Sequence, residues 1–494
     1  MKRSSGILMA VSSLPSPYGI GTLGQSAYDF ADFLHAAGQR YWQMLPLGPT
    51  SYGDSPYQSF STYAGNPYYI DPELLIADGL LTKSECSRCK WGGEARHVDY
   101  GRIYEKRFDL LRKAFKRGWQ RDGEAVAAFV EANERWLPDY ALFMACKRHF
   151  GMKAWTEWPD DIRLRKPEAL EKYRALLRED VDFFTYLQYL FFRQWERLRD
   201  YVHAQGIRII GDLPIYVSPD SAEVWGEPGL FQVDEDYRPS AVAGVPPDAF
   251  SADGQLWGNP LYDWERHRET GFAWWKRRAA HMARLYDMVR IDHFRAFHTY
   301  WNIPLTAESA KEGHWEPGPG MELLRALETV PGLELIAEDL GDLDADARAF
   351  IAESGLPGMK ILVYAFDPAG ESAYLPHNCP RNSVVYTGTH DTPTFVQWLF
   401  DEATPAEREY AFDYLTLRED EGFGWGGVRG AWAAPSLLAI APMQDLLGLG
   451  ADARINAPGT MGPQNWSWRV RQDAFNRSVS ARLRKLTRTY RRCL

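Results

Sequence analysis

Val289-Arg290-Ile291-Asp292-His293-Phe294-Arg295, Leu335-Ile336-Ala337-Glu338-Asp339-Leu340-Gly341 and Val385-Tyr386-Thr387-Gly388-Thr389-His390-Asp391 share one pattern: an apolar run that stops in a carboxylate. A short apolar run bounded by turn residues predicts a buried strand. A carboxylate where such a strand stops lies at the rim of a sheet or barrel, where active sites are built. Three of them predict one acidic cleft. Five more runs complete a set of eight expected strands: Ile7–Ser12, Tyr41–Leu45, Arg208–Ile215, Met288–Asp292, Glu334–Glu338, Lys360–Phe366, Val384–Thr389 and Leu437–Ala441. Helical patterns separate most of them. Ser26 and Asp29 suggest a capping box before a helix that ends at Gly38. The stripe Phe183, Phe184, Leu187, Leu190, Phe191, Trp195, Leu198, Val202 predicts a long helix stopped at Gly206. Strands alternating with helices predict an α/β fold, and eight repeats predict a (β/α)8 TIM barrel.

The 494 residues exceed the roughly 250 of a bare barrel. One barrel over 1–494 is therefore expected to carry a mainly helical insertion over 50–180, between the second and third strands. A second insertion over 216–275, between the third and fourth, reads as long loops covering the active site. Hydrophobic residues make up 45%, enough for a large core, and the formal charge is −10. No basic stripe is available to neutralise phosphates, which argues against nucleic acid. No apolar stretch is long enough to span a membrane. Lys2 and Arg3 before Gly6–Val11 resemble a short signal peptide, but no small-x-small site follows and Pro15 and Pro17 come quickly, so the run is read as the first core strand. Five cysteines, with one lone Cys86-x-x-Cys89, predict neither a disulfide scaffold nor a zinc site and point to the cytoplasm. Gly19-Ile-Gly21-Thr-Leu-Gly24 matches a dinucleotide fingerprint, but Pro15 and Pro17 separate it from its strand and the next strand ends without an acid, so it is read as a Gly-rich entry to a helix.

Acidic clefts without metal-ligand spacing suggest glycosyl chemistry. A retaining mechanism needs two carboxyl groups about 5–5.5 Å apart, one ionised to attack and one protonated to donate. Asp292 is the expected nucleophile, with Arg290 on the same strand face holding it ionised. Glu338 is the expected acid/base, its pKa raised by a neighbouring carboxylate. Asp391 is expected to stabilise the transition state, with His390 as a neutral donor. Each alone is more often just the cap of the following helix; the three together, with Arg290 and His390 beside them, favour chemistry.

The chain also resembles the 4-α-glucanotransferases, or amylomaltases, of the α-amylase clan. The resemblance is carried by Ser51-Tyr-Gly-Asp-Ser-Pro-Tyr-Gln-Ser-Phe60, Gly211-Asp-Leu-Pro-Ile215, Gly258-Asn-Pro-Leu-Tyr262, Arg290-Ile-Asp-His-Phe-Arg295, Ala337-Glu-Asp-Leu-Gly341 and Gly388-Thr-His-Asp391. It implies a barrel without a C-terminal β-sandwich, and retaining transfer of α-1,4-glucan segments between maltooligosaccharides, with no cofactor and no metal. Matched by position, it implies the same nucleophile, acid/base and stabiliser at Asp292, Glu338 and Asp391, and glucan contacts at Ser55, Tyr57, Trp257, Arg290, Asp367, His390 and Asn465. Asp212 is expected to support the site. Two departures stand out: Ala249 where an aromatic residue is usual, expected to alter acceptor binding or lid closure, and Ala296 where glycine is common. The alternatives are an α-amylase-like hydrolase sharing the barrel, or a non-catalytic glucan-binding protein.

Overall fold

A computed structural model describes residues 2–92, 95–247 and 252–493; Ala249 lies outside them. Eight parallel strands close into a barrel: β1 Ser4–Leu8, β2 Tyr41–Gln43, β3 Arg208–Leu213, β4 Met288–Ile291, β5 Glu334–Ala337, β6 Gly358–Ile361, β7 Ser383–Tyr386 and β8 Leu438–Pro442. Each pairs with its sequence neighbours, and β1 closes the ring on β8 with Ser4 opposite Leu438. All eight expected strands are present. Their legibility has a physical cause: helices cover the outside and side chains fill the inside, so most strand positions are buried on both faces and read as continuous apolar runs. The N-terminal apolar run is β1, buried throughout.

Between β2 and β3 the chain runs through helices from Pro72–Ala77 to Arg178–Ala204. The last of these buries the whole predicted stripe from Phe183 to Val202, and Gly206 beyond its end has a positive φ of 76°. Tyr100–Gly118 packs on it through Phe115, whose ring lies 5.6 Å from that of Phe183. The helix Gln25–Ala36 forms without its expected capping box. Gly24 is the N-cap, and the Ser26 hydroxyl instead donates to the Pro15 carbonyl. Gly24 also settles the dinucleotide motif. A Cβ there would meet the Asp71 carboxylate at 2.1 Å, so an acid occupies the space where a pyrophosphate would be needed.

The segment read as long loops after β3 contributes two strands. Ala241–Val245 pairs antiparallel with Gln255–Pro260 on one side and with Thr299–Pro304 on the other, and His314–Pro317 completes a four-stranded sheet. Gly244, Gly258 and Pro260 break the strand pattern in the sequence, and pairing with Thr299–Pro304 comes from beyond β4.

Candidate active site

The site sits at the C-terminal rim, and register builds its base. Pairing of β3 with β4 sets Asp212 beside Arg290. Gly211 permits this course of β3, since a Cβ there would meet the Tyr286 ring at 2.2 Å. Arg290 Nη1 donates to Asp212 Oδ1 (2.9 Å) and Oδ2 (3.0 Å) and, two residues along its own strand, to Asp292 Oδ1 (3.0 Å). The Asp212 side chain is 0% exposed and that of Arg290 4%, while Asp292 keeps 28% open to the cleft. Asp212 thus supports the site, as expected.

Beyond β4 the backbone turns through His293 in the left-handed region (φ 50°, ψ 49°), unusual for a residue with a Cβ. That turn aims the His293 amide at Glu338, whose Oε2 accepts it at 2.7 Å. Leu340 N–H donates to Glu338 Oε1 at 2.9 Å, and Glu338 N–H donates to the Ile291 carbonyl at 3.1 Å. The residue directly after Asp292 is therefore bonded to the Glu338 carboxyl group, and the two acids stand on adjacent strand ends.

A second chain of contacts crosses the rim from β7. His390 Nε2 lies 3.1 Å from Asp391 Oδ2 and 2.8 Å from the Tyr57 hydroxyl. The Tyr57 hydroxyl donates to Asp212 Oδ2 at 2.7 Å. One polar network thus runs Asp391–His390–Tyr57–Asp212–Arg290–Asp292. Tyr57 stacks on His390 with ring centroids 5.2 Å apart, and Trp466 packs against both.

Electrostatics separate the three acids. Desolvation pushes Glu338 up to about 7; Arg290 pulls it down and Asp292 pushes it up. Desolvation also pushes Asp292 up, to about 6, against the pull of Arg290, with Asp212 and Asp391 adding to the rise. Arg290 divides its contacts between Asp292 and the fully buried Asp212. Glu338 still holds its proton to higher pH than Asp292, which has the guanidinium in direct contact. Asp391 goes the other way: its desolvation is overcome by His390 and by Asn456, whose Nδ2 donates to Asp391 Oδ1 at 2.7 Å, and it falls to about 2. Burial pulls His390 down, but the charge and the hydrogen bond of Asp391 together raise it. Its ring therefore holds a proton more tightly than a free imidazole. His293, by contrast, is lowered to about 4 by burial and then by Arg295, so its ring is neutral.

The remaining expected residues divide. Trp257, half-buried on the inserted sheet, meets the His293 ring edge-on at 4.9 Å, directly beside the two acids. The Ser55 hydroxyl accepts the Tyr57 amide at 3.2 Å and shapes that loop. Asp367 is exposed and caps its own turn through the Ala369 amide (2.8 Å). Asn465 is buried and its amide ties the 457–465 loop, accepting from Ala457 N–H and donating to the Thr460 carbonyl and hydroxyl. Sequence reasoning missed Asn456 and Arg454. Arg454 Nη2 donates to the Asp391 carbonyl (3.2 Å), Nε to the Asn456 carbonyl (2.8 Å), and Nη1 pairs with Glu402 Oε1 (3.0 Å). Their only signal was position, in the loop that follows the last barrel strand.

The family model for 4-alpha-glucanotransferases matches residues 9–474. A 4-alpha-glucanotransferase of Clostridium butyricum is 47% identical over 98% of this chain and 100% of its own length. One from Thermus thermophilus is 46% identical, covering 98% of each chain. Among solved structures, an amylomaltase from Streptococcus agalactiae in complex with acarbose superposes with a TM-score of 0.97 at 43% identity, over the whole of both chains.

Proposed function

The chain belongs to the 4-alpha-glucanotransferase family, and from that premise we propose that Asp292 is the nucleophile, Glu338 the acid/base and Asp391 the stabilising acid of a retaining transfer between α-1,4-glucans. The protein is an enzyme and it transfers glucan segments. In the first step an Asp292 oxygen attacks the anomeric carbon. The bond to the departing glucan breaks as Glu338 delivers its proton to the leaving oxygen, and a glucosyl ester of Asp292 remains. In the second step the 4-hydroxyl oxygen of another maltooligosaccharide attacks the same carbon. Its proton passes to Glu338 and the Asp292 carboxylate is released, so configuration is retained.

The single observation carrying this reading is the His293 N–H bond to Glu338: it joins the residue after one acid to the carboxyl group of the other. The order of the two pKa values supports it, since an ionised Asp292 beside a protonated Glu338 is the starting state the reaction needs. Asp391 and His390 present a hydrogen-bonded carboxylate–imidazole pair at the third side of the cleft, suited to sugar hydroxyls and a developing oxocarbenium ion. Trp257 offers an aromatic face to a sugar ring. The loops around Tyr57 and Trp257 favour transfer if they exclude water while an acceptor is held. Among the described residues no helix is long and apolar enough to cross a membrane. A cytoplasmic location rests on five cysteines that stand unbridged.

Incubation with maltotriose tests this directly. Glucose together with longer oligomers is expected; a gain of reducing ends without longer oligomers would make the protein a hydrolase. Asp292→Asn should bind glucan and lose turnover, and substantial remaining transfer would overturn the assignment.

A further inference from the structure

The helical insertion after β2 collects positive charge on a chain whose net charge is −10. The helices Lys83–Ser87 and Tyr100–Gly118 wall a surface cavity of about 340 Å³. Arg102, Lys106 and Lys113 reach it from one helix, at spacings that recur on a single face. Arg88 and Lys90, just past the other helix, face them, with Glu85 and Cys89 completing the lining.

The cations are poorly compensated. Among the described residues Glu85 is the one carboxylate in the lining, and it is already committed: Arg117 donates to both of its oxygens at 2.8 Å, and it closes the capping box with Thr82. Arg102 meets Asp99 only at 3.5 Å and Lys106 meets Glu105 only at 3.9 Å, both through exposed side chains. Arg88 donates to the Ser84 hydroxyl. Lys90 and Lys113 make no ion pair among the described residues. Asp109, exposed on the same helix, does not line the cavity.

Five like charges around one concavity repel, and an anion relieves that repulsion. A monoanion would offset one of them; a phosphate carries up to two charges and several acceptor oxygens. Two arginine forks and three lysine point charges are the donor set such a group takes. The cavity is larger than a bare phosphate needs and within the range of small-molecule sites. None of its lining belongs to the cleft around Asp292. We propose that this cavity is a second ligand site, which binds a phosphate ester of sugar size.

The phosphate could arrive on a free sugar or on a glucan chain, and calorimetric titration at low ionic strength separates the two. The probes are glucose 6-phosphate and maltotriose phosphorylated at one 6-hydroxyl, with glucose as the neutral control. The full chain is compared with Lys106→Glu/Lys113→Glu, whose transfer activity on maltotriose should be unchanged. Affinity for glucose 6-phosphate should fall about tenfold or more in the variant. If only the phosphorylated maltotriose shows this loss, the site reads a glucan-borne phosphate. Lys106→Gln/Lys113→Gln should move in the same direction by less. Equal affinities in the wild type and both variants, or no saturable binding of either phosphate ester by the wild type, would overturn the proposal.

Discussion

Replacing Arg290 by glutamine should displace the pH profile of transfer before it abolishes transfer. The guanidinium touches both Asp212 and Asp292, and its charge also lowers Glu338. An opposite charge at such range changes a carboxylate's pKa by about 1–3. With Asp292 at about 6, roughly nine sites in ten are ionised at pH 7. Losing Arg290 and raising that value by about two would leave roughly one in ten. At pH 7 kcat/KM on maltotriose should therefore drop about tenfold from ionisation alone, and the acid limb should move to about pH 8. The alkaline limb should move up with it. Asp212, 0% exposed, would be left with a buried and uncompensated charge, at a stability cost of about 3–5 kcal/mol. Arg290→Gln/Asp212→Asn separates the two effects: it should recover much of the melting temperature without returning the acid limb to its wild-type position. Arg290→Lys, which keeps charge but not the reach to both acids, should lie between. An acid limb that stays near pH 6 in Arg290→Gln would refute the argument that Arg290 governs the ionisation of Asp292.

Two further outcomes follow from the same geometry. Glu338→Gln should gain about 1–2 kcal/mol of stability relative to the wild type between pH 4 and pH 8, because the folded state holds a carboxylate it has raised to about 7. A raised carboxyl pKa means that wild-type stability declines as pH rises from about 4.5 to about 7, so the relative gain of Gln should be full above that window, while near pH 4 the variant, lacking one backbone acceptor, should be the less stable; thermal melts at both values test it, and a stability difference that does not change with pH would contradict it. Asn456→Ala should lower kcat about 10–100-fold through loss of a hydrogen bond to a charged group, with little change in KM. Its acid limb should be unaltered, since Asn456 holds Asp391 and not Asp292; a rise in KM alone would show that it serves binding instead.

The barrel was legible in the sequence because burial on both faces leaves little choice of residue along a strand. Val289, Ile291, Ile336, Val384 and Ile440 are fully buried, and their runs announce the strands. Asp292 and Glu338 were legible because each directly ends such a run, and Asp391 because it follows its strand end after a short turn. The four-stranded sheet was not, since Ala241–Val245 is short, carries Gly244 and finds its partner Thr299–Pro304 across β4. The capping box at Ser26 failed for a similar reason: the Pro15 carbonyl, distant in sequence, took its hydroxyl.

Local pattern determined which segments become strands and which acids stand at their ends, because hydrophobic periodicity and turn chemistry act between near neighbours. Tertiary structure alone decided what those acids experience. Asp212 reaches Arg290 through strand register, Tyr57 reaches His390 through a loop after β2, and Asn456 reaches Asp391 from the loop after β8. The proton affinity of Glu338 depends on its distances to Arg290 and Asp292, which are far from it in the chain. Those distances exist only once the barrel has closed.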